Sequence, residues 1–521
     1  MSLLFQELIR VRLVDEAATS LTLPGTFAAL MADRIAGFPA LRPHQRHAWH
    51  AFLTQLGAVA LHAAGLADPP RDEAAWRDLL LRLTPGEAAE TAWSLVAPPD
   101  RPALLQPPLP DGLAALKNAI ATPDGLDMLV TAKNHDLKQA VMAEALPDDW
   151  LFALVTLQTM EGFLGAGNYG ISRMNGGFAS RPALGLVPAG GSGAQVRRDL
   201  LRLLCLRETI ASQNGYATDG GLALVWLEPW NGVAQLELAS LDPLYIEICR
   251  RVRLVATNDI LSARAGSSKA ARIVPSPGGV TGDPWAPLRI DKDGKPKVLT
   301  TDASGFGYCR MVDLLFPGEG NRPSGLQEAA GTDAAEGLAL LARALVRGQG
   351  KTEGYHERRV PLSRRVPYLI GSRATDHVAE VAHLRVELAG ELQRRVLRPA
   401  LLSLFQNGPD RIDLRHDASS RKAERFLARF DRHVDGTFFD DLWTELEQDT
   451  EEAGHACRSA WVQGLLAVAG QLVIEADTAA PKSAHRRYRA RVRALDELHG
   501  AARRNQHLRP YLGENRNEHA A

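Results

Sequence analysis

The hydrophobic pattern of the chain changes near residue 375, and this change separates two regions that must fold differently. After that point apolar side chains recur every three or four residues, as from Val378 to Val396 and again from Ala423 to Val434. This spacing places them on one face of a helix, and no strand pattern interrupts it. It predicts an antiparallel all-α helical bundle over residues 376–521. Its predicted helices are 377–405, 418–434, 437–448, 452–476 and 482–505.

Residues 1–370 combine short strand patterns with helical ones and with long Gly- and Pro-rich connections. At 521 residues the chain is too long for one ordinary domain. The predicted fold class is therefore α+β, with a large mixed α/β N-terminal domain (1–370) followed by the bundle. We predict strands at 8–14, 21–23, 222–227, 288–290 and 298–300, and helices at 26–35, 41–65 and 148–163. The stretch between the strands at 222–227 and 288–290 is interpreted as irregular.

Composition excludes several classes of protein. The net charge of −1 argues against a wholly basic nucleic-acid binder, so any such role must rest on local patches. The four cysteines form no CxxC pair, which excludes a zinc ribbon and favours a reducing compartment. The N-terminus lacks a signal-peptide pattern, and no run of 18 apolar residues appears. We expect a cytoplasmic protein with no membrane partner.

Motifs for catalysis are weak. The chain has no GxxxxGK[ST] phosphate loop and no GxSxG elbow. Gly350-Lys351-Thr352 imitates the end of a phosphate loop, but no apolar strand is predicted before it. The adjacent pairs His135-Asp136 and His416-Asp417 leave open a metal-dependent phosphohydrolase or nuclease that uses His135-Asp136, although one pair cannot fill a coordination sphere. The alternative interpretation is that both pairs are loop or helix-cap residues.

Two segments favour a polyanionic ligand. Residues 343–365 hold seven Lys or Arg against two carboxylates, and residues 162–178 hold six glycines. A glycine-rich loop can bring main chain into a narrow groove, where Arg173 and Arg181 would contact phosphates. The competing interpretations are a solvated loop after a helix for the first segment and a flexible turn-rich loop for the second. A scaffold protein without DNA contact also remains open.

The layout resembles the large subunit of the type I-E CRISPR Cascade complex, the Cse/CasA family. The resemblance spans nearly the full length. It is carried by residues 168–178, by Thr281-Gly282-Asp283-Pro284-Trp285, by residues 350–359 and by the C-terminal bundle. It implies a noncatalytic subunit without cofactor or metal, since the zinc-binding cysteine cluster of some relatives is missing.

The resemblance also implies what the subunit does and what it contacts. It would recognise the protospacer-adjacent motif in double-stranded target DNA, help to open the duplex and recruit a helicase-nuclease effector. Its other partners would be the 5′ end of the guide RNA and the backbone, guide-end cap and small subunits of the complex. In such a system the protein reads a short motif and base pairing reads the sequence.

Individual residues follow from the resemblance. The family's glycine loop falls at Gly165–Gly170, its wedge hairpin at Gln349–Glu353 and its lysine finger at Lys269, while Lys133, Asn134, His135 and Asp136 form the loop that contacts guide RNA and neighbouring subunits. Many relatives carry a glutamine at the wedge tip, where this chain has Lys351 and Thr352. The predicted DNA-binding residues are Gly165, Gly167, Asn168, Tyr169, Gly170, Arg173, Lys269, Gln349, Lys351, Thr352, Glu353, Arg394 and Arg395.

Overall fold

The chain forms two compact units in the computed structural model. The first comprises Met1–Phe306 and Pro317–Leu362, and the second Gly307–Phe316 and Ser363–Ala521. The segment Gly307–Phe316 therefore belongs to the second unit, whereas the sequence pattern had placed it in the first. The structure describes residues 1–86, 90–127, 142, 144–174, 180–318, 320–331, 333, 337–348, 351–363, 374–478 and 483–513.

Helices and large aromatic side chains build the core of the first unit. Seven tryptophans are buried there, namely Trp49, Trp76, Trp93, Trp150, Trp226, Trp230 and Trp285. The helix Ser192–Asn214 is followed by Gly215 in the left-handed conformation. A glycine at this position is a common way to satisfy the last carbonyl groups of a helix. The helices are α1 Leu23–Met31, α2 Arg46–Ala64, α3 Glu73–Arg82, α4 Pro147–Met160 and α5 Ser192–Asn214.

Small sheets surround these helices. The strands are β1 Ile9–Leu13, β2 Ala18–Leu21, β3 Ile35–Gly37, β4 Asn118–Ile120, β5 Ala183–Val187, β6 Leu222–Leu224, β7 Leu241–Ile246, β8 Arg251–Thr257, β9 Ile260–Gly266, β10 Leu288–Ile290, β11 Pro296–Val298, β12 Asn321–Arg322, β13 Ala339–Gly348 and β14 Lys351–Pro361. Three-stranded antiparallel sheets have the orders β2-β1-β3, β11-β10-β12, β14-β13-β5 and β4-β9-β8, and β6 pairs with β7 in parallel.

The second unit is helical in its described part. Its helices are α6 Tyr308–Leu315, α7 Ala374–Glu391, α8 Arg398–Phe405, α9 Asp417–Leu446, α10 Glu451–Thr478 and α11 Ala484–Arg504. A π-helical turn, Leu392–Leu397, joins α7 to α8. Within this unit the buried Arg385 of α7 donates to Glu445 of α9 at 2.6 Å and lies over the Trp461 ring of α10. The predicted fold class, a mixed N-terminal part followed by a helical bundle, is confirmed.

Several boundaries differ from the sequence prediction. The helices predicted at 418–434 and 437–448 are one helix, α9, because Gly436 lies within it without breaking it. The stretch between 222–227 and 288–290 is not irregular, since it contains β7, β8 and β9. Helix α5 was missed, although Val196, Leu200 and Leu203 recur at helical spacing and are buried.

The largest correction concerns residues 343–365. The described part of this segment is neither a solvated loop nor a continuation of a helix, because β13 and β14 form a long antiparallel hairpin from Ala339 opposite Pro361 to Gly348 opposite Lys351. An apolar strand therefore does precede Gly350-Lys351-Thr352. The strand is followed by another strand and not by a helix, so the phosphate-loop interpretation still fails.

One helix of the described residues, α10, is long and apolar enough to cross a membrane by length and composition alone. Helices in the core of a helical bundle meet the same criterion. Trp461, Leu465 and Leu472 of α10 are buried within the second unit. We therefore treat α10 as a bundle helix.

Candidate nucleic-acid interface

The glycine-rich segment after α4 is an ordered loop held by hydrogen bonds to its own main chain. Ile171 N donates to Glu161 O at 3.0 Å, and Leu164 N donates to Asn168 O at 3.0 Å. The buried Arg250 donates to Gly162 O at 2.7 Å and also to Tyr169 O. We call residues 161–170 the glycine loop. Because one guanidinium holds both of its ends, the tip at 165–168 projects as a fixed turn.

Glycine is required at particular positions of this loop. A Cβ at Gly170 would lie 2.3 Å from the carbonyl carbon of Gly162, so only glycine lets the two ends of the loop meet. Gly165 and Gly167 have φ of +109° and +85°, a region that favours glycine. Ala166 and Asn168 are exposed at the tip. The loop thus presents main chain with little side-chain bulk.

Lys269 lies beside the glycine loop. Ser268 N donates to Gly167 O at 3.0 Å, and Lys269 N donates to Gly232 O at 2.7 Å. Arg251 donates to Ser267 O at 3.2 Å from the start of β8. Lys269 itself is exposed. The glycine loop and Lys269 therefore form one surface, although the sequence assigned them separately.

The end of the β13–β14 hairpin also reaches the base of the glycine loop. Arg347, next to the last residue of β13, approaches the buried carboxylate of Glu161 at 3.5 Å. This approach lacks hydrogen-bonding geometry, since neither carboxylate oxygen of Glu161 accepts a hydrogen bond from the described residues. We therefore interpret it as an electrostatic contact. The strand register shifts between Val346 and Arg347, opposite Gly354 with φ of +120°.

Burial dominates the electrostatics of Glu161. It raises the pKa of Glu161 to about 7, and the Arg347 and Arg250 guanidiniums only partly offset this. Near neutral pH the carboxyl group is thus held close to half-protonated at the junction of loop and hairpin.

The structure corrects the phosphate contacts predicted for Arg173 and Arg181. Arg173 is buried and donates to Glu247 at 2.8 Å and to Tyr245 O at 2.9 Å. Arg181 is buried against Asp283 and lies over the Trp285 ring at 5.1 Å. Both guanidiniums are thereby committed to the interior, because a buried charge needs its partner.

The motif Thr281–Trp285 is consequently structural. Burial alone would raise the pKa of Asp283, but Arg181 more than offsets this and holds that pKa below its usual range. Tyr216 donates its hydroxyl to Thr281 O at 2.8 Å. The motif fixes the segment that follows the glycine loop and does not itself present a binding group.

The remaining predicted residues fall into three groups. Lys133, Asn134, His135, Asp136 and Gln349 lie outside the described residues, as do the side chains of Lys351 and Thr352, whose backbone forms the start of β14. Glu353 follows them on β14 and is half-buried. Arg394 and Arg395 are exposed on the π-helical turn of the second unit, a separate candidate surface.

The described residues contain no group of three or more His, Cys, Asp and Glu that could hold a metal. His416 caps α9, since its ring accepts from Ser419 N at 3.2 Å, as the helix-cap interpretation of His416-Asp417 expected. The pair His135-Asp136 stays an untested alternative.

Sequence reasoning missed two residues that organise the interface, Arg250 and Glu161. Arg250 directly precedes β8, whose alternating residues from Arg251 to Leu254 and two-residue turn at Asn258-Asp259 are typical of a hairpin. That signal could have located the hairpin β8–β9 and hence the position of Lys269. No sequence signal marks Glu161 as buried.

Glu161→Gln should change how stability depends on pH. Because the pKa of Glu161 is raised in the folded protein, the protonated carboxyl group stabilises the fold fully below about pH 4.5. This stabilisation is lost as pH rises toward 7. Wild type should therefore lose, relative to Glu161→Gln, on the order of 3 kcal/mol of unfolding free energy across this window. Chemical unfolding of both proteins at pH 5 and pH 8 measures the difference.

The matched control is Glu7→Gln, which changes an exposed glutamate of the same unit. Its unfolding free energy should follow wild type at both pH values. A Glu161→Gln protein with the same pH dependence as wild type would contradict the assignment of a buried, protonatable carboxyl group.

The fold is shared with solved proteins of one family. The structure is similar to CasA from Thermus thermophilus (17% identity, TM-score 0.63, 96% of this chain and 99% of that chain). It is also similar to Acidimicrobium ferrooxidans Cse1 (16%, 0.64, 98% and 98%). A third similar chain comes from a "CRISPR RNA-guided surveillance complex" (15%, 0.59, 98% and 99%). At these identities the likeness shows the fold. A comparison with curated proteins finds no match.

The sequence itself provides the family. The family sequence model of CRISPR-associated protein Cse1 matches residues 2–472, which is most of the chain. The resemblance noted from residues 168–178, 281–285 and 350–359 is thereby confirmed. The chain belongs to the CRISPR-associated protein Cse1 family.

Proposed function

We propose that this chain is the large, noncatalytic subunit of a type I-E CRISPR RNA-guided surveillance complex and that it recognises the protospacer-adjacent motif in double-stranded DNA. Beyond the family, one observation carries the proposal: the hydrogen bond from Ser268 N to Gly167 O. It joins the glycine loop and the lysine into a surface where an exposed cation stands beside exposed main chain.

The chemistry of this surface suits the minor groove. That groove is about 6 Å wide and offers few features that distinguish base pairs. A loop tip of Gly165, Ala166 and Gly167 is narrow enough to enter it, and Asn168 adds a side-chain donor and acceptor. Lys269 would contact a backbone phosphate, which fixes the register of the loop on the duplex. Such readout tolerates several motif sequences.

The β13–β14 hairpin would act next. Arg347 lies near the end of β13, and its guanidinium approaches Glu161 of the glycine loop. A hairpin placed beside the motif is positioned to separate the first base pairs, which costs a few kcal/mol that phosphate contacts offset. In this proposal Lys351 and Thr352 replace the glutamine that many relatives carry.

The remaining contacts complete the proposal. Residues 133–136 would contact the 5′ end of the guide RNA and neighbouring subunits, and Arg394 and Arg395 would contact a DNA strand from the second unit. A helicase-nuclease would be recruited to degrade the target, with the whole assembly in the cytoplasm. Catalysis would belong to that effector.

The proposal is tested with the reconstituted guide-RNA complex, assembled with and without this subunit. Binding is measured over a library of DNA targets whose flanking motif is randomised. The complex with the subunit should enrich a small set of motifs, because the glycine loop contacts those base pairs. The complex without it should show no preference. Equal motif dependence in both complexes would overturn the recognition role and favour a scaffold.

Lys269→Ala should weaken binding to motif-containing DNA and reduce its salt dependence. Each phosphate contact on B-DNA contributes about −0.9 to the slope of log K against log[salt], so the slope should become shallower by about one unit. Binding is measured at several salt concentrations with the full complex.

Lys292→Ala is the matched control, because Lys292 is an exposed lysine in the same unit. Its salt slope should equal that of wild type. If Lys269→Ala and Lys292→Ala both keep the wild-type slope, Lys269 makes no phosphate contact.

A further inference from the structure

The first unit contains a second cationic site apart from the glycine loop and Lys269. A cavity of about 610 Å³ lies between β1, the segment after β3, α2 and the start of α5. Arg12, Arg46 and Arg343 line it, together with the partly buried His50. None of its described lining residues is acidic. A cavity of this size falls in the range of small-molecule sites.

Two of the three arginines make no hydrogen bond or ion pair through their side chains with any described residue. Arg343 donates to Glu357 at 2.9 Å and is thereby neutralised. Arg12 and Arg46 are exposed and form no such contact. Arg46 also feels the charge of Glu357 through space, but Arg343 holds that carboxylate. Arg12 and Arg46 thus bring two cations to one cavity without a carboxylate of their own.

Buried polar groups without partners surround the same cavity. Trp49 lines it, is almost fully buried, and its Nε1 donates to no described residue. A small recess that shares His50, Gln195 and Arg343 with the cavity is bordered by His47. Both ring nitrogens of the buried His47 lack a hydrogen-bond partner among the described residues. A buried donor at the wall of a cavity can be satisfied by a polar ligand or by water held there.

The two remaining features of the wall define the ligand further. The first turns of α5 contribute Ser192, Gln195 and Val196, so the positive end of the helix dipole faces the same space as the arginines. Part of the lining is apolar and includes the half-buried ring of Phe38. An inorganic anion would leave this apolar surface in contact with water, whereas a planar group would cover it.

We propose that this cavity binds a nucleoside monophosphate group, with its phosphate held by Arg12 and Arg46 at the start of α5 and its base against Phe38. A phosphate monoester carries close to two negative charges and three acceptor oxygens, so it can pair with both guanidiniums at once, whereas a carboxylate offers one charge and two oxygens. The group can come from a free nucleotide or from the phosphorylated end of a strand. The site is independent of the proposed motif recognition, since it shares no residue with the glycine loop or Lys269.

Calorimetric titration of the full chain with AMP tests the proposal, beside adenosine, inorganic phosphate and benzoate. AMP should bind most tightly, because it alone supplies both the phosphate and the base. Arg12→Gln/Arg46→Gln should weaken AMP binding at least tenfold. Arg71→Gln, an exposed arginine of the same unit away from the cavity, should stay within twofold of wild type.

Short oligonucleotides with a 5′-phosphate or a 5′-hydroxyl distinguish the two sources. If the chain prefers the 5′-phosphorylated oligonucleotide and Arg12→Gln/Arg46→Gln abolishes that preference, the bound group is a strand end. If the chain binds AMP but shows no such preference, the bound group is a free nucleotide. If the wild-type chain binds neither AMP nor the phosphorylated strand more tightly than benzoate, or if the double variant binds both as wild type does, the proposal is overturned. The motif preference of the complex should be the same for the double variant and for wild type, so the two proposals fail separately.

Discussion

The guanidinium of Arg250, bonded to the carbonyl oxygens of Gly162 and Tyr169, is the contact on which the candidate interface depends. Hydrogen bonds from a charged donor are worth about 1.5–3 kcal/mol, enough to hold a loop whose glycines lose much entropy on ordering. Once both loop ends are fixed, Gly167 O is positioned to accept from Ser268 N, and that bond places Lys269 at the tip. The contacts of Lys269 N with Gly232 O and of Arg251 with Ser267 O hold the same segment in place.

Several arginines, including two that suggested a polyanion ligand, instead stabilise the fold. Arg173 and Arg181 pair with buried carboxylates, and Arg253 donates to main-chain carbonyls including Pro98 O at 2.6 Å. Counting cationic residues in a sequence cannot separate these from cations that face solvent, because burial is a property of the fold. Among the described residues, the exposed cations that the two proposals use are Lys269, Arg394 and Arg395 for DNA and Arg12 and Arg46 for the nucleotide.

The sequence predicted the elements whose patterns are local. The bundle helices follow from apolar spacing, and the family follows from motifs such as 281–285. It did not predict α5, whose buried face is interrupted by Arg198 and Arg207, charges made tolerable by partners far along the chain. For the same reason it could assign Lys269 and Gly165–Gly170 only separately. Their contact depends on the long-range position of β8 and β9.

The central claim is that the glycine loop contacts the motif base pairs while Lys269 contacts a phosphate beside them. Photocrosslinking measures this most directly, with a photoreactive base placed in the motif of target DNA bound to the reconstituted complex and the crosslinked peptides identified by mass spectrometry. The account predicts crosslinks in residues 165–170 and 267–269, reduced when the photoreactive base is moved about ten base pairs away, one turn of the duplex. Crosslinks confined to other parts of the subunit, or to other subunits, would contradict it.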